Sequence, residues 1–145
     1  MLRSLTLIPL LWGFTAAHAV EVPYTATPLS IKTSQGKNQT LGDRSAGKYR
    51  LVFWYSNFCP PCYAMKSFLG KLEKECNAED FEIVRVNIND SENTPALKAL
   101  NIRGTPTLTL WSAKDEYLAL ATGFRGETQV RDMIKKTPTK KCGTP

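Results

Sequence analysis

Histidine is the residue type that this chain most lacks. His18 is the single histidine among 145 residues, and it lies in a segment that we expect export to remove. A mature chain without histidine has no Cys–His catalytic dyad, no Cys₂His₂ zinc site and no histidine-ligated haem. The sequence also has no P-loop and no G-x-G-x-x-G motif, so it lacks the common phosphate-binding loops of nucleotide enzymes.

The first 19 residues have the pattern of a secretory signal peptide. Arg3 provides a positive charge, Leu5 to Ala17 form an apolar stretch, and the small residues Ala17 and Ala19 mark a cleavage site. The apolar stretch is too short to span a bilayer, which makes an uncleaved membrane anchor the less favoured alternative. We therefore expect an exported protein.

The remaining residues, 20–145, are enough for one domain with its own core. Within it we expect an N-terminal extension over 20–47 and a C-terminal tail over 137–145. The formal net charge is +6, but the lysines are scattered along the chain and cluster only in the tail. That distribution favours a solvated surface over a nucleic-acid-binding patch, and we expect a monomer that binds no nucleic acid.

An apolar run followed by two closely spaced cysteines organises the rest of the chain. Leu51 to Tyr55 are consecutive apolar residues, which predicts a strand buried on both faces. Cys59 and Cys62 follow in the spacing C-x-x-C, with two prolines between them. Apolar residues then recur in steps of three and four, which predicts an amphipathic helix whose inward stripe is Cys62, Met65, Leu69, Leu72 and Cys76, with Phe68 beside it.

This placement predicts different chemical roles for the two cysteines. A thiolate at a helix N-terminus is stabilised by the helix dipole and by unpaired amides, which lowers its pKa and makes it a better nucleophile. Cys62 lies one turn further on and can attack a mixed disulfide formed by Cys59. The spacing therefore predicts thiol–disulfide exchange in which Cys59 attacks and Cys62 resolves. A purely stabilising disulfide is the alternative, but so short a loop constrains the unfolded chain little.

Cys76 and Cys142 are the other two cysteines, and export would place all four in an oxidising compartment. Along a helix, Cys62 and Cys76 are about 21 Å apart, too far to pair with each other. We therefore expect a structural disulfide between Cys76 and Cys142, which would close a loop of about 65 residues and contribute roughly 4 kcal/mol in the chain-entropy model. Free thiols or a metal role are the alternatives.

The rest of the pattern predicts an α/β fold with the order β-α-β-α-β-β-α. Strands separated by helices are expected to run parallel, and the last two, joined by a tight turn, antiparallel. Trp54, Tyr55 and Trp111 are interpreted as core residues rather than a binding stripe. The predicted elements are a hairpin at 29–32 and 39–41, strands at 48–55, 81–88, 107–111 and 117–121, and helices at 61–77, at 95–100 with Thr94 as its cap, and at 127–136.

These residues resemble the thioredoxin family in three blocks that span about residues 48–136. The first block runs from Phe53-Trp54 to Cys59-Pro60-Pro61-Cys62, the second includes Gly104-Thr105-Pro106-Thr107, and the third is Gly123 before the last helix. The Pro-Pro dipeptide and the N-terminal hairpin are most similar to exported thioredoxin-like proteins, which implies a protein secreted across the inner membrane into the periplasm. The resemblance implies the thioredoxin fold, a mixed central sheet flanked by helices.

The resemblance also implies roles for five residues. Cys59 would be the exposed nucleophile and Cys62 the resolving thiol of a redox-active disulfide. Pro106 would follow a cis peptide bond and pack against the cysteine pair, which would leave the Thr105 backbone free to pair with a substrate strand. Phe58 would be an aromatic lid at the position where the family usually has tryptophan.

One departure from the family concerns proton transfer. Thioredoxins carry a buried aspartate in the strand before the motif, and Phe53 occupies that position here. No acid is present from Leu51 to Cys62, so proton transfer to and from the resolving cysteine must use water or another group.

The favoured function is an exported thiol:disulfide oxidoreductase that acts on cysteines of other exported proteins. It needs no bound cofactor or metal, because the disulfide itself carries the two electrons. A membrane protein would serve as electron donor or acceptor, and we favour a reductase or maturation factor. One alternative is a Cu(I) chaperone that uses Cys59, Cys62 and Met65. Another is a redox-inactive assembly component that uses the fold for docking.

Overall fold

The computed structural model describes residues 27–43, 46–76, 78–123, 125–135, 137–138 and 142. The predicted signal peptide lies outside the described residues, as does most of the predicted tail. The elements are β1 Leu29–Lys32, β2 Asn38–Leu41, β3 Tyr49–Tyr55, α1 Pro60–Glu75, β4 Phe81–Asn87, α2 Thr94–Ala99, β5 Thr107–Trp111, β6 Tyr117–Thr122 and α3 Glu127–Lys135. Both the N-terminal hairpin and the order β-α-β-α-β-β-α, which here runs from β3 to α3, are confirmed.

Four strands form a mixed sheet in the order β4-β3-β5-β6. The central strand β3 pairs in parallel with β4 and antiparallel with β5, and Trp54 lies opposite Thr107. The expectation that helix-separated strands run parallel is therefore wrong for β5. At six residues, α2 is only about 9 Å long, too short to carry the chain back along the strands. As a result, β5 begins at the end of the sheet where β4 finishes.

The sheet separates two halves of the core, and β3 contributes alternate residues to each half. Leu51, Phe53 and Tyr55 pack against α1 and α3. Val52 and Trp54 pack against the β1–β2 hairpin and α2. A strand covered on both faces must be apolar at every position, which explains the uninterrupted apolar run in the sequence.

Both tryptophans of β3 and β5 are fully buried, as their interpretation as core residues predicts. The indole N–H of Trp54 donates to the Thr109 hydroxyl at 3.0 Å, and that of Trp111 donates to the same oxygen at 3.1 Å. Thr109 is itself fully buried. One threonine therefore satisfies two indole donors that would otherwise be buried without a partner.

An ion pair between Arg50 of β3 and Asp115 holds the hairpin against the sheet. Both side chains are buried, and the guanidinium also donates to the carbonyl of Thr40 at 2.9 Å. The second carboxylate oxygen of Asp115 accepts from the backbone N–H of Gly42 at 2.6 Å and of Asp43 at 3.0 Å. This network joins three segments that are distant in sequence, and no local pattern predicts it.

The start of α2 differs from its prediction. Thr94 was expected to cap the helix, but Asn93 occupies the cap position after a 3₁₀ turn at Ser91–Asn93. The fully buried Asn93 amide exchanges hydrogen bonds with the backbone of Lys32 at 2.7 and 3.1 Å and donates to the carbonyl of Asn87 at 3.0 Å. Asn93 therefore joins β1 to the segment after β4, a contact between distant segments that a local capping rule does not include.

Candidate active site

The C-x-x-C segment lies where the central strand ends. β3 finishes at Tyr55, a three-residue loop follows, and Cys59 is the N-cap of α1. The backbone N–H of Cys59 donates to the Ser56 carbonyl at 3.3 Å, which closes the loop tightly. The cysteine therefore lies at the carboxyl end of β3, where sheets of this kind bind ligands.

Two prolines occupy the first two positions of α1. The helix begins at Pro60, one residue before the predicted start at Pro61. A proline disfavours a helical predecessor without forbidding it, and the first position of a helix tolerates proline because its N–H has no partner within the helix. The prolines carry no N–H, and the N–H of Cys62 donates to the Cys59 carbonyl at 3.0 Å. The sequence predicts that unpaired amides at the helix start stabilise a Cys59 thiolate. Fewer amides are available for this than expected, because the two prolines have none. The helix dipole still acts there, with no acidic residue in the first turn.

Cys59 and Cys62 form a disulfide with their Cα atoms 5.3 Å apart. Cys59 is 7% exposed and Cys62 1% exposed. The prediction of an exposed Cys59 therefore needs correction, since it is the more accessible of the two but largely covered in the disulfide form. The residues around it are open, with Phe58 87% and Tyr63 60% exposed. An incoming thiolate would reach the disulfide from this side.

Three hydrogen bonds that involve side chains also hold the loop before Cys59. The Ser56 hydroxyl donates to the Asn89 side-chain oxygen at 2.7 Å and accepts from the Phe58 N–H at 3.1 Å. The Tyr63 hydroxyl donates to the Asn57 carbonyl at 2.9 Å. The loop is thus tied both to the segment after β4 and to the first turns of α1, which presents Phe58 to solvent.

Aromatic rings pack in the same buried cluster as the cysteine pair, and one lysine lies over them. Phe53 is fully buried and stacks on Tyr55 with ring centroids 5.6 Å apart. The ammonium of Lys66 lies 3.8 Å from the centroid of the Tyr55 ring and 5.9 Å from that of Tyr63. Sequence reasoning missed Tyr63 and Lys66, although Lys66 is four residues after Cys62 and thus on its side of the helix.

The segment before β5 lies at the same end of the sheet as the cysteines. The Thr105–Pro106 peptide bond is cis, Pro106 is buried and Thr105 is partly exposed. The Pro106 carbonyl accepts from the Gly123 N–H at 2.8 Å, and the Thr107 hydroxyl donates to the Gly104 carbonyl at 2.8 Å. Since Thr107 pairs with Trp54 near the end of β3, the chain topology brings Thr105 and Pro106 to the C-x-x-C end of the sheet.

The second pair, Cys76 and Cys142, is also bonded, with Cα atoms 4.5 Å apart. Cys76 is the C-cap of α1, so this disulfide lies at the opposite end of the helix from Cys59. The two disulfides are therefore separated by the length of α1. Next to the second disulfide, the Glu75 carboxylate accepts a hydrogen bond from Arg131 of α3 at 2.7 Å, and this hydrogen bond lowers the pKa of the Glu75 carboxyl.

Within the described part of the chain, no group of three or more histidine, cysteine or acidic side chains could hold a metal ion. Met65, the third ligand in the Cu(I) alternative, is fully buried in the core with Leu69 and Leu72. None of the helices among the described residues is long and apolar enough to cross a membrane.

A family model described as Redoxin matches residues 18–135. The thiol:disulfide interchange protein DsbD of Escherichia coli K12 is 25% identical over 118 residues, which are 78% of this chain and 21% of that protein. DsbD of Vibrio cholerae is 26% identical over 96 residues, 63% of this chain and 16% of that protein. The chain therefore spans about a fifth of the length of these curated relatives.

Solved structures with the same fold include an exposed lipoprotein thioredoxin of Streptococcus pneumoniae. Its TM-score is 0.60 at 15% identity, and the match covers 76% of this chain and 99% of that chain. Thioredoxin O1 of Arabidopsis thaliana in its oxidized state has a TM-score of 0.54 at 18% identity, covering 62% of this chain and 78% of that chain. At these identities the likeness concerns the fold, which is the predicted thioredoxin fold.

Proposed function

The chain belongs to the redoxin family, and from this premise we propose that it is a thioredoxin-like thiol:disulfide oxidoreductase that exchanges disulfides with cysteines of exported proteins through Cys59 and Cys62. The observation that carries the proposal is the disulfide at the junction of β3 and α1. A thiolate formed at Cys59 lies at the positive end of the α1 dipole, and Cys62 is one turn away to resolve a mixed disulfide.

The proposed exchange has two steps. In the first, the Cys59 thiolate attacks a sulfur of a partner disulfide, forms a bond between Cys59 and the partner, and expels the other partner sulfur as a thiolate. In the second, Cys62 attacks the Cys59 sulfur, closes the Cys59–Cys62 disulfide and releases the partner dithiol. The partner gains two electrons and the protein loses them, so no bound cofactor is required. The reverse sequence would oxidise the partner.

Phe58, Thr105 and Pro106 are proposed to form the partner-binding surface. Phe58 is the most exposed large apolar side chain among the described residues, and an apolar partner side chain could cover it. The partly exposed Thr105 lies before β5 at the same end of the sheet, where its backbone could pair with an extended partner segment. The second disulfide, Cys76–Cys142, is proposed to be structural, because it lies at the far end of α1.

We propose the reducing direction, with electrons supplied by a membrane donor. An oxidising disulfide requires a strongly stabilised thiolate in the reduced form. The prolines at the first two positions of α1 remove two amide donors that could provide that stabilisation. A less stabilised thiolate makes the disulfide harder to reduce and the dithiol a better reductant.

Equilibration with glutathione buffers tests this direction. We expect a reduction potential more negative than about −200 mV, on the side of thioredoxin at about −270 mV. A value near the −120 mV or so of a strong oxidant such as DsbA would contradict it and support partner oxidation instead.

The exported partners are tested by trapping. In Cys62→Ser, Cys59 can still attack but the mixed disulfide cannot resolve, so we expect partner adducts that dissociate on reduction. The variant is produced with its own residues 1–19 in a host that exports proteins, thiols are blocked before lysis, and adducts are identified by mass spectrometry. The double variant Cys59→Ser with Cys62→Ser is the matched control. Adducts no more abundant than in that control, or adducts only with proteins that are not exported, would contradict the proposal.

A further inference from the structure

Cys62 lies in surroundings that disfavour a thiolate. It is 1% exposed and packs in a core cluster with Phe53, Met65 and Leu69. Removal of a charged sulfur from water costs free energy unless another charge compensates it. Cys62 must nevertheless become a thiolate to resolve a mixed disulfide.

Carboxylates that could take the proton are not found in the adjoining sequence or in the first turn of α1. The acidic side chains of α1 are at its far end, where Glu73 contacts Arg85 of β4 and Glu75 contacts Arg131 of α3. The strand side of the cysteine pair presents Phe53 and Tyr55. A positive charge held close to the cluster would lower the free-energy cost of a Cys62 thiolate.

Lys66 is placed to provide that compensation. It follows Cys62 by four residues, which puts their Cβ atoms about 5–6 Å apart on a helix. Its ammonium lies over the Tyr55 ring at 3.8 Å from the centroid and 5.9 Å from the centroid of the Tyr63 ring. Tyr55 is buried in the same cluster as both cysteines. The cation–π contact with Tyr55 thus holds the positive charge beside this cluster.

We propose that Lys66 is a positioning residue for the resolving step, with its ammonium favouring the thiolate form of Cys62. This inference rests on the proposed exchange function. Lys66 acts through space and forms no bond with a sulfur, so the attack of Cys62 on Cys59 keeps the atom and electron balance given above. The neighbouring titratable groups that contact the ammonium are the phenols of Tyr55 on β3 and Tyr63 on α1.

The experiment separates the two steps of exchange by using dithionitrobenzoate. Reduced protein attacks this reagent through Cys59 and releases one thionitrobenzoate, and the attack by Cys62 then releases a second. Stopped-flow absorbance gives the rate of each release as a function of pH. In Lys66→Met the second release should slow by about 3- to 10-fold at pH 7, the effect of one unit charge near the cluster. The pH midpoint of the second release should also rise.

Two further variants distinguish charge from packing. Lys66→Arg keeps the cation and should restore the second release to within about twofold of the wild-type rate. Lys74→Met removes the same charge from an exposed position on α1, about 18 Å from Cys62 and beyond the screening length of about 10 Å at 0.1 M salt. It should leave both releases within about twofold.

Three results would overturn the inference while leaving the exchange function intact. These are a second release in Lys66→Met at the wild-type rate, a failure of Lys66→Arg to restore it, and an equal slowing in Lys74→Met. If the wild-type protein instead releases a single thionitrobenzoate, or none, then the proposed exchange function itself is wrong and the inference fails with it.

Discussion

In Cys59→Ser, transfer of a disulfide between the protein and a two-cysteine peptide is expected to fall by at least about 100-fold. The reason is that Cys59 is the more accessible sulfur of the pair and the N-cap of α1. Cys62 cannot replace it, because its 1% exposed side chain is covered by the core. The measurement is the rate of peptide oxidation or reduction in a glutathione buffer, followed by the fluorescence of the peptide.

The matched control for this loss is the double variant Cys76→Ser with Cys142→Ser. It removes the disulfide on the far end of α1 and should keep the exchange rate within about twofold at a temperature where circular dichroism shows it folded. Exchange by Cys59→Ser at the wild-type rate would support the redox-inactive assembly component. A loss of exchange in the control as large as that in Cys59→Ser would show that the second disulfide takes part in the reaction.

The largest expected effect on stability comes from Asp115→Ala. The substitution leaves the Arg50 guanidinium buried without its carboxylate and removes the acceptor for the Gly42 and Asp43 amides. Breaking a buried ion pair from one side costs about 3–5 kcal/mol, so we expect the free energy of unfolding in urea to fall by that amount. Asp132→Ala is the control, since its pair with Lys135 is exposed, and it should change stability by less than about 0.5 kcal/mol.

A second substitution tests whether the unpaired charge is the cause. In Asp115→Ala combined with Arg50→Met, the buried cation is removed as well, and we expect at least about 1 kcal/mol of the loss to be recovered. No recovery would mean that the loss comes from the broken backbone contacts at Gly42 and Asp43. A loss in Asp115→Ala no larger than that in Asp132→Ala would contradict the account of the network.

Local patterns in the sequence predicted most of the elements, because their signals are strong and short in range. Leu51 to Tyr55 form an apolar run that suits a strand covered on both faces, and the spacing after Cys62 suits a buried helical stripe. The C-x-x-C at their junction follows from the same two signals. The strand direction of β5 could not be obtained in this way, because it depends on the length of α2 relative to the sheet.

Several contacts that local patterns missed join segments that are distant in sequence. The sequence around Asp115 predicts only a turn, and its ion pair with Arg50 is evident only in the structure. The sequence around Asn93 likewise predicts only a loop, and its hydrogen bonds to β1 are evident only in the structure. The sequence predicts only that Lys66 is a polar residue of α1, and its cation–π contact with Tyr55 of β3 is evident only in the structure. Burial of Cys59 in the disulfide form likewise depends on the packing of neighbouring elements, which the residue spacing does not contain.

Alkylation of the reduced protein tests the assignment of Cys59 as the attacking sulfur most directly. Iodoacetamide reacts with thiolates, so the rate at each cysteine against pH gives its apparent pKa, and peptide mass spectrometry identifies the residue modified. We predict that Cys59 reacts first, with an apparent pKa below the value of about 8.5 for a free cysteine. Modification of Cys62 ahead of Cys59, or a Cys59 midpoint at or above about 8.5, would contradict the assignment.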